Sequence, residues 1–394
     1  MENIYLDHNA TTPVDPAVIE AMLPFLQKGF GNASSVHNFG RDAKVALENA
    51  REQIASVINC DPSELYFTSG GTESDNLALL GSAYQQKKKG RNHLIVGATE
   101  HHAILEPAEH LHHDEGWDLD LLPVDGEGFS SPDTLKTLLR DDTAIVSVMH
   151  GNNETGVIQP IKELATVARE RKILFHTDAV QSIGKVKVDV RDLGVDMASL
   201  TGHKIYGQKG TGALYIRSGV KIAPLFYGGS HEKKRRPGTE NVAGAVGLAR
   251  ALEIAQERAD ADFTMLTELS TYFIDAVLKK IPDVKFNGPR DSRRIPQTMN
   301  FAFTGVEGES IVLALDLKHV AVSAGSACTS GAVEPSHVLS AMGIPPVTAR
   351  GSVRFSMGRS TTQKQLDYVL TELPPIIERL REMSPVYKKA QQTP

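Results

Sequence analysis

The chain is poor in cysteine and tryptophan and has no long apolar run. Only two of its 394 residues are cysteine and one is tryptophan, which excludes a disulfide framework and leaves each thiol to be interpreted by itself. No apolar run approaches the roughly 18 residues that a membrane span requires, and the N-terminus lacks the basic and apolar regions of a secretion signal. We therefore expect a soluble, cytoplasmic protein that has no membrane as partner.

An excess of positive charge is also missing. The formal net charge is -6 and the isoelectric point is about 6.2, which argues against nucleic acid as a partner. The one basic run, at residues 233–236, is interpreted as a solvated loop rather than a binding patch. With 41% hydrophobic and 23% charged residues, the composition is that of a globular protein of two domains, or of one large domain with an appendage.

Apolar runs of strand length alternate with stretches of helical periodicity over most of the chain, which indicates an α/β fold with a mostly parallel sheet. Helices are predicted at residues 17–28, 40–58, 77–86, 161–171, 242–259, 264–280 and 310–317. Strands are predicted at residues 64–67, 93–96, 143–149, 173–176, 212–216, 298–303 and 353–356. The pattern changes near the end of the chain. We expect a large domain at 15–258 and a smaller α+β domain of residues 259–394, with residues 1–14 packed on it.

One lysine is placed unlike a surface lysine. Lys204 follows the apolar run 197–200 and precedes Ile205 and Tyr206, which would desolvate its ammonium and lower its pKa. An amine that is deprotonated near neutral pH can form a Schiff base with an aldehyde, which is how lysine anchors pyridoxal phosphate (PLP). The alternative interpretation is a solvated lysine at a strand end.

Two glycines lie between a predicted strand and a predicted helix. Gly70 and Gly71 let backbone N–H groups approach an anion, and Thr72 adds a hydroxyl at the positive end of the helix. The stretch has neither the Walker nor the dinucleotide-binding pattern of glycines, which argues against a nucleotide site. A capped turn without a ligand explains the same residues equally well.

Four more polar side chains follow predicted strands, at His101, Asn153, Asp178 and Gln181. A histidine there can lie flat on an aromatic cofactor, a carboxylate can pair with a protonated pyridine nitrogen, and amides can bond a ring oxygen. A metal site around His101 is disfavoured because the neighbouring histidines come with no cysteine or recognisable carboxylate spacing. Ligands bind beyond strand ends in α/β sheets, so the recurrence of such groups predicts one site.

The two cysteines have different surroundings. Cys60 directly follows a predicted helix and is interpreted as a structural thiol. Cys328 stands among eight small residues that cannot bury it, which is typical of a nucleophile that moves between two places. Further along, Arg354 lies in a predicted strand and should point away from its two apolar neighbours, where its guanidinium suits the capture of a substrate carboxylate.

An ordered series of motifs extends through nearly the whole chain, at residues 5–13, 31–35, 69–76, 99–101, 152–156, 178–181, 202–204 and 325–328. The series resembles that of the cysteine desulfurases of the class V aminotransferase group, PLP enzymes of fold type I. The resemblance is closest to the nitrogenase-maturation (NifS-like) branch. It implies a homodimer in which each large domain has a mostly parallel seven-stranded sheet between helices, beside the smaller α+β domain.

The resemblance also implies roles for individual residues. Lys204 would be the Schiff-base lysine, His101 would stack on the PLP ring, and Asp178 would pair with the ring nitrogen. Gln181 and Asn153 would bond the cofactor oxygen and the substrate side. The residues implied to hold the phosphate are Gly71, Thr72, Thr201, His203 and Thr239 of the partner subunit.

The implied reaction converts L-cysteine to L-alanine, with Arg354 and Asn153 on the substrate and Cys328 receiving the sulfur as a persulfide. The acceptor would be an iron-sulfur scaffold protein of the NifU or IscU kind, serving nitrogenase maturation or general iron-sulfur assembly. No intrinsic metal site is expected, although Cys328 would transiently ligate a cluster shared with that scaffold. The alternatives are a class V aminotransferase, a selenocysteine lyase that uses the same residues, and a silent scaffold that binds through the Cys328 segment.

Overall fold

The computed structural model describes residues 3–324, 335–385 and 387. In chain order its strands are β1 (Ile4–Tyr5), β2 (Leu65–Thr68), β3 (His93–Gly97), β4 (Asp118–Leu122), β5 (Thr143–Ser147), β6 (Leu174–Asp178), β7 (Met197–Thr201), β8 (Gly212–Ile216), β9 (Val284–Asn287), β10 (Thr298–Phe303), β11 (Val320–Ala321), β12 (Ser323–Ala324) and β13 (Ser352–Ser356).

The helices are α1 (Pro16–Gln27), α2 (Asn38–Ile58), α3 (Gly71–Lys87), α4 (His102–Glu115), α5 (Pro132–Leu138), α6 (Ile161–Glu170), α7 (Val190–Leu193), α8 (Val242–Lys280), α9 (Gly308–Asp316), α10 (His337–Ala341), α11 (Pro346–Ala349) and α12 (Gln363–Met383). Two short 3-10 turns lie at Pro62–Glu64 and His231–Lys234. None of the helices in the described ranges is long and apolar enough to cross a membrane.

Seven strands form one sheet in the order β2-β8-β7-β6-β5-β3-β4, and β8 alone runs opposite to the other six. Strands β3, β5 and β7 are buried at every residue, as expected for parallel strands with helices on both faces. The predicted α/β fold with a mostly parallel seven-stranded sheet is thereby confirmed.

A second hydrophobic core lies around an antiparallel sheet of the order β12-β13-β10-β9. Phe301 and Phe355 are fully buried in it, and so are Phe273 of α8 and Leu6 of the N-terminal segment. Helix α8 also reaches the first core, through Leu248 and its neighbours. The predicted boundary between 258 and 259 therefore lies inside one helix, and the division into two domains stays a prediction.

Two helix predictions were wrong. The helices predicted at 242–259 and 264–280 are one helix of 39 residues, because residues 259–264 contain neither glycine nor proline to end it. Helix α3 begins at Gly71 rather than at residue 77, since the polar residues that follow Gly71 were interpreted as part of the turn. The earlier start matters for the site, because it puts the first turn of α3 directly after the glycine pair.

Candidate active site

The carboxyl ends of β5, β6 and β7 meet at one edge of the large sheet, and the N-terminal segment crosses that edge. Backbone hydrogen bonds fix the crossing: Thr12 N donates to His203 O at 2.9 Å, and Asp15 N donates to Tyr206 O at 2.9 Å. The side chain of Asn9 lies there too, with Nδ2 donating to Thr298 Oγ1 at 2.8 Å. The site is therefore built from segments that are far apart in sequence.

Lys204 follows β7 by three residues and points its amine at this crossing. Nζ donates to the carbonyl oxygen of Asn9 and, at 2.8 Å, to that of Ala10. Burial and, to a smaller extent, the nearby Arg354 guanidinium lower the pKa of the amine to about 8, against the opposing charges of Asp178 and Asp7. The predicted desolvated amine is confirmed, since an appreciable fraction is neutral at neutral pH.

Asp178 ends β6 and is 5% exposed. Its Oδ1 accepts the Val180 N–H at 2.8 Å, which leaves Oδ2 for a ligand. Burial raises the pKa of this carboxyl to about 6, while the Val180 hydrogen bond and the Lys204 charge hold it down. Asp178 is therefore mostly ionised at pH 7 and can balance a cationic ring nitrogen.

Gln181 lies one turn beyond Asp178 and is buried. Its Nε2 donates to Asn9 O at 2.9 Å, the same carbonyl that accepts from Lys204 Nζ. An amide nitrogen carries two protons, so one N–H of Gln181 remains for an oxygen placed beside Lys204. The backbone oxygen of Asn153 accepts from Asn9 Nδ2 at 3.0 Å, which brings residue 153 to the same place.

His101 caps the N-terminus of α4, where Nδ1 accepts the Ala103 N–H at 3.1 Å. The residue is exposed, yet desolvation by the surrounding protein lowers its pKa to about 4, helped by the positive charge of Lys204 and by His102 and His337. The imidazole is therefore neutral at pH 7. A neutral ring can stack on an aromatic cofactor and exchange a proton with a bound thiol.

The first turn of α3 is shaped as a cradle for an anion. Gly70, the N-cap, has a φ of +155° and no side chain to cap the helix, so the first N–H groups are left for a ligand. A Cβ at Gly71 would lie 2.7 Å from Val180 Cγ2, and a Cβ at Gly70 would lie 3.9 Å from Thr201 Oγ1. These hydroxyl and N–H groups fit a phosphate.

Two further residues predicted to hold the phosphate, His203 and Thr239, lie outside the first turn of α3. His203 is half-buried, with Nδ1 3.2 Å from Thr11 Oγ1, and burial together with the Lys204 charge lowers its pKa to about 4. Thr239 is exposed on the connection between β8 and α8. Because the prediction assigns Thr239 to the phosphate of a partner subunit, a single chain does not test it.

Arg354 lies in β13, between two fully buried apolar residues, and points to the opposite side as predicted. Nη2 donates to Asp7 Oδ1 at 2.7 Å and Nη1 donates to Asn153 O at 3.1 Å. Within the described ranges Nε is buried without a partner. This unsatisfied cationic donor, beside Asn153, is what a site for a substrate carboxylate requires.

Cys328 lies outside the described residues, but both flanks of its segment adjoin the site. On one side, Ser323 pairs with Arg354 in the sheet register. On the other side, Ser336 Oγ donates to Glu154 Oε2 at 2.6 Å, and His337 Nε2 donates to Glu100 O at 2.8 Å. Cys60, the other cysteine, is half-buried, and burial raises the pKa of its thiol to about 12, in keeping with a structural thiol.

Three site residues were missed in the sequence: Asn9, Asp75 and Glu100. Asp75 and Glu100 are both 1% exposed, and burial together with the Asp178 charge raises the pKa of each well above its usual range. Strand-end position singled out Asp178, whereas these residues lie on a crossing segment, a helix and a turn. A polar residue inside an otherwise apolar helix face was the signal for Asp75.

The model of the aminotransferase class-V family matches residues 4–369. The chain belongs to this family. The cysteine desulfurase IscS of Dictyoglomus turgidum is 53% identical over 386 residues, which cover 98% of this chain and 97% of the relative. The cysteine desulfurase IscS of Clostridium botulinum (strain Hall) is 48% identical over 388 residues, with the same two coverages. A solved structure described as a NifS-like protein covers 96% of this chain and all of its own, with a TM-score of 0.90 at 35% identity.

As a member of the aminotransferase class-V family, the chain has relatives that depend on PLP. The comparisons confirm the predicted family and fold. They do not separate the nitrogenase-maturation branch from the others, because the relatives carry the IscS name and the solved structure the NifS-like name. The residues at the sheet edge fit PLP, since the anion cradle, the amine of Lys204 and the carboxylate of Asp178 match its phosphate, aldehyde and ring nitrogen.

Proposed function

We propose that the chain is a PLP-dependent cysteine desulfurase that converts L-cysteine to L-alanine and leaves a persulfide on Cys328. The observation that carries the proposal is the amine of Lys204, which is held by the carbonyls of Asn9 and Ala10 at the strand-end edge where Asp178 ends β6, and whose pKa burial lowers. A desolvated amine beside a buried carboxylate and an uncapped helix N-terminus provides the groups that PLP needs. The cysteine desulfurases among its relatives support the choice of substrate.

PLP would be held at four places by this chain's own residues. Lys204 would bind it covalently through Nζ, Asp178 would pair with its ring nitrogen, and Gln181 would donate to its ring oxygen. The phosphate would lie against the first turn of α3, near Thr72 and Thr201, and His101 would cover the ring. When bound, PLP supplies an electron sink that stabilises the negative charge left on the substrate Cα.

The protein's own part in the reaction is to bind the substrate and move protons. Arg354 has an unused N–H for the substrate carboxylate, and Asn153 lies directly beside it. Lys204 Nζ, once released, accepts the proton from the substrate Cα, for which a pKa near 8 is suitable. His101 is neutral at pH 7 and carries its proton on Nε2, because Nδ1 accepts the Ala103 N–H, so it would donate a hydrogen bond to the substrate sulfur.

The sulfur step needs no further reactant. The Cys328 thiolate attacks Sγ of the substrate, so that an S–S bond forms while the substrate Cβ–Sγ bond breaks, and Cβ then takes up a proton to give alanine. The chain tethers Cys328 to Ala324 within at most about 14 Å, the extended length of four residues. Ala324 lies opposite Val353, next to Arg354.

Alanine formation tests this proposal. Cys328→Ala should form alanine at only a small fraction of the wild-type rate, since the thiol that receives the sulfur is missing. Cys60→Ala is the matched control and should keep full activity, because burial raises the pKa of that thiol to about 12. Full alanine production by Cys328→Ala would favour an aminotransferase-like site and would sink the desulfurase proposal.

We also propose a homodimer. Large apolar side chains are exposed along the first two helices and the turn between them, and again on the connection that carries Thr239. They are Ile19, Leu23, Leu26, Phe30, Val36, Phe39, Val45, Phe226 and Tyr227. A monomer rarely exposes so many large apolar groups in adjoining segments, and a second copy would cover them while bringing Thr239 of the partner subunit to the phosphate.

Sedimentation of a surface variant tests the dimer. Phe30 and Phe39 stack on each other with ring centroids 5.5 Å apart and are 73% and 56% exposed. The double variant Phe30→Glu and Phe39→Glu should sediment as a monomer and bind PLP more weakly, because Thr239 of the partner subunit is lost. Leu317→Glu, at an 82% exposed position of the other core region, should remain dimeric.

We further propose that the persulfide sulfur passes to an iron-sulfur scaffold protein of the NifU or IscU kind. The support is the resemblance of the segment 325–328 to desulfurases that deliver sulfur to such a scaffold, and the branch that serves nitrogenase maturation stays a prediction. Incubating the persulfide form with each type of scaffold separates the two. Faster loss of the persulfide with the NifU type would favour nitrogenase maturation, and the reverse would favour general assembly.

A further inference from the structure

A second lysine lies behind the site and has no place in the mechanism above. Lys185 follows Gln181 by four residues, and its Nζ donates to Gln181 Oε1 at 2.9 Å. Together with Tyr206 and Phe263, it lines a narrow cavity on the far side of Lys204. Its amine contacts no carboxylate in the described part of the chain, so it does not form an ion pair.

The Gln181 amide is held at both ends, by Asn9 O and by Lys185. A backbone carbonyl can only accept, so the atom of Gln181 that faces Asn9 O is Nε2. The amine of Lys185 donates to the opposite end of the amide, Oε1. With both ends fixed, the unused N–H of Gln181 is directed by the protein before any ligand arrives.

The electrostatic surroundings favour a neutral Lys185. The charged groups that act on it are Lys204 and Arg354, and it acts in turn on His8 and His203. The titratable or charged residues that share its cavity also include Tyr206, Asp262 and Arg359. Burial lowers the pKa of Lys185 well below its usual range, and the positive charges of Lys204 and Arg354 lower it further. A neutral amine still donates a hydrogen bond, and it adds no positive charge next to the substrate-binding arginine.

We propose that Lys185 is a positioning residue that orients the Gln181 amide so that Nε2 donates to the ring oxygen of bound PLP. The inference rests on the proposed function and adds to it a residue that acts only through Gln181. Without Lys185 the amide keeps only its contact with Asn9 O and loses the anchor at Oε1. The second N–H of Nε2 is then held less firmly, which weakens its hydrogen bond to the bound cofactor.

A double-mutant cycle on PLP affinity tests the inference. The weaker hydrogen bond should raise the PLP dissociation constant of Lys185→Met by about 2- to 12-fold. In the Gln181→Ala background the same change should alter the constant by less than about 2-fold, because the group through which Lys185 acts is gone. Lys187→Met, two residues further along and exposed, is the control and should bind PLP as the wild type does.

The visible absorption of the loaded protein gives a readout that a merely structural role would not move. The pH midpoint of its absorbance change should shift in Lys185→Met in the same direction as in Gln181→Ala. If Lys185→Met does not fold, Lys185→Gln, whose shorter side chain also loses the contact, goes through the same cycle. The inference is overturned if the effect of the lysine variant is as large without Gln181 as with it.

The two proposals fail in different ways. A wild-type chain that binds no PLP, or that forms no alanine from L-cysteine, overturns the proposed function and this inference with it. A wild-type chain that binds PLP and forms alanine, while the two substitutions act additively, overturns the inference alone.

Discussion

Two buried arginines show how a structural ion pair differs from a ligand-binding one. Arg51 uses every nitrogen: Nη1 and Nη2 donate to Glu232 at 2.9 and 2.7 Å, and Nε donates to Glu48 at 3.1 Å. Arg354 donates to Asp7 and to a backbone carbonyl, but its Nε is buried without a partner among the described residues. One arrangement is closed, and the other leaves that buried N–H without a described partner.

The same contrast holds for the groups around each arginine. Glu232 accepts a further hydrogen bond from Phe67 N at 2.9 Å, and its carboxylate is fully used. Near Arg354, the carboxylate of Asp178 keeps one oxygen for a ligand, and the amine of Lys204 is held by two backbone carbonyls. A buried donor without a partner lowers stability, and Arg294 Nε and Arg359 Nε also lack hydrogen-bond partners among the residues described. It is therefore the nearby Lys204 and Asp178 that single out Arg354 for binding.

The largest effect is expected from removing the amine of Lys204, which lies near Arg354. Lys204→Ala should lower alanine formation by at least about 10³-fold, since both the covalent anchor and the base are lost. The protein should fold at least as well as the wild type, because a desolvated amine is removed. Assays of alanine and thermal unfolding check the two parts, and near-normal alanine formation would contradict the role given to Lys204.

The next largest effect is expected from breaking the buried ion pair between Arg51 and Glu232. Arg51→Met leaves Glu232 buried without its cation and should lower the free energy of unfolding by about 3–5 kcal/mol. Lys44→Ala, which breaks an exposed pair with Glu48, is the control and should cost no more than about 1 kcal/mol. Denaturant unfolding of both variants measures the difference, and equal values would show that the Arg51 pair is not closed as described.

A smaller effect is expected at Arg354. Arg354→Met should raise KM for L-cysteine by about 10- to 150-fold, because a charge-assisted hydrogen bond to the substrate carboxylate is lost. Steady-state kinetics check this, with Arg350→Met, an exposed residue of the same region, as the matched control. A changed kcat at unchanged KM would place Arg354 elsewhere in the reaction.

The smallest effect is expected in the pH dependence of covalent PLP incorporation. The neutral amine of Lys204 is the form that reacts with PLP, and its pKa is lowered to about 8, so covalent incorporation should accelerate about tenfold between pH 7 and pH 9 and then level off. A free lysine derivative, with a pKa near 10.4, should show no levelling over that range. Incorporation that rises without levelling would mean that Lys204 is not desolvated.

The sequence predicted the parts of the site that are local. Lys204 and Asp178 were found because each follows a buried strand, and the edge where parallel strands end is common to all such sheets. Asn9 could not be found in this way, since its carbonyl contacts Lys204 across 195 residues. The same is true of the Arg51–Glu232 pair, which spans 181 residues and depends on how the connection before α8 folds back.

One strand and one helix show where the sequence pattern predicted bounds well and where it did not. The strand predicted at 212–216 has those bounds in the structure, because an apolar run ends sharply where polar residues begin. Helix α8 was divided at residues 259–264, where the pattern changes because the helix passes from one hydrophobic core to the other. A periodicity that serves one core cannot continue unchanged in the next.

The central claim is that sulfur from L-cysteine reaches Cys328 after the amino acid has bound at Lys204. Peptide mass spectrometry of the PLP-loaded protein, after a short exposure to L-cysteine labelled with a heavy sulfur isotope, tests it directly. The account predicts one labelled sulfur on the peptide that contains Cys328, none on the peptide that contains Cys60, and none on either in Lys204→Ala. Label on Cys60, or on Cys328 in the lysine variant, would contradict it.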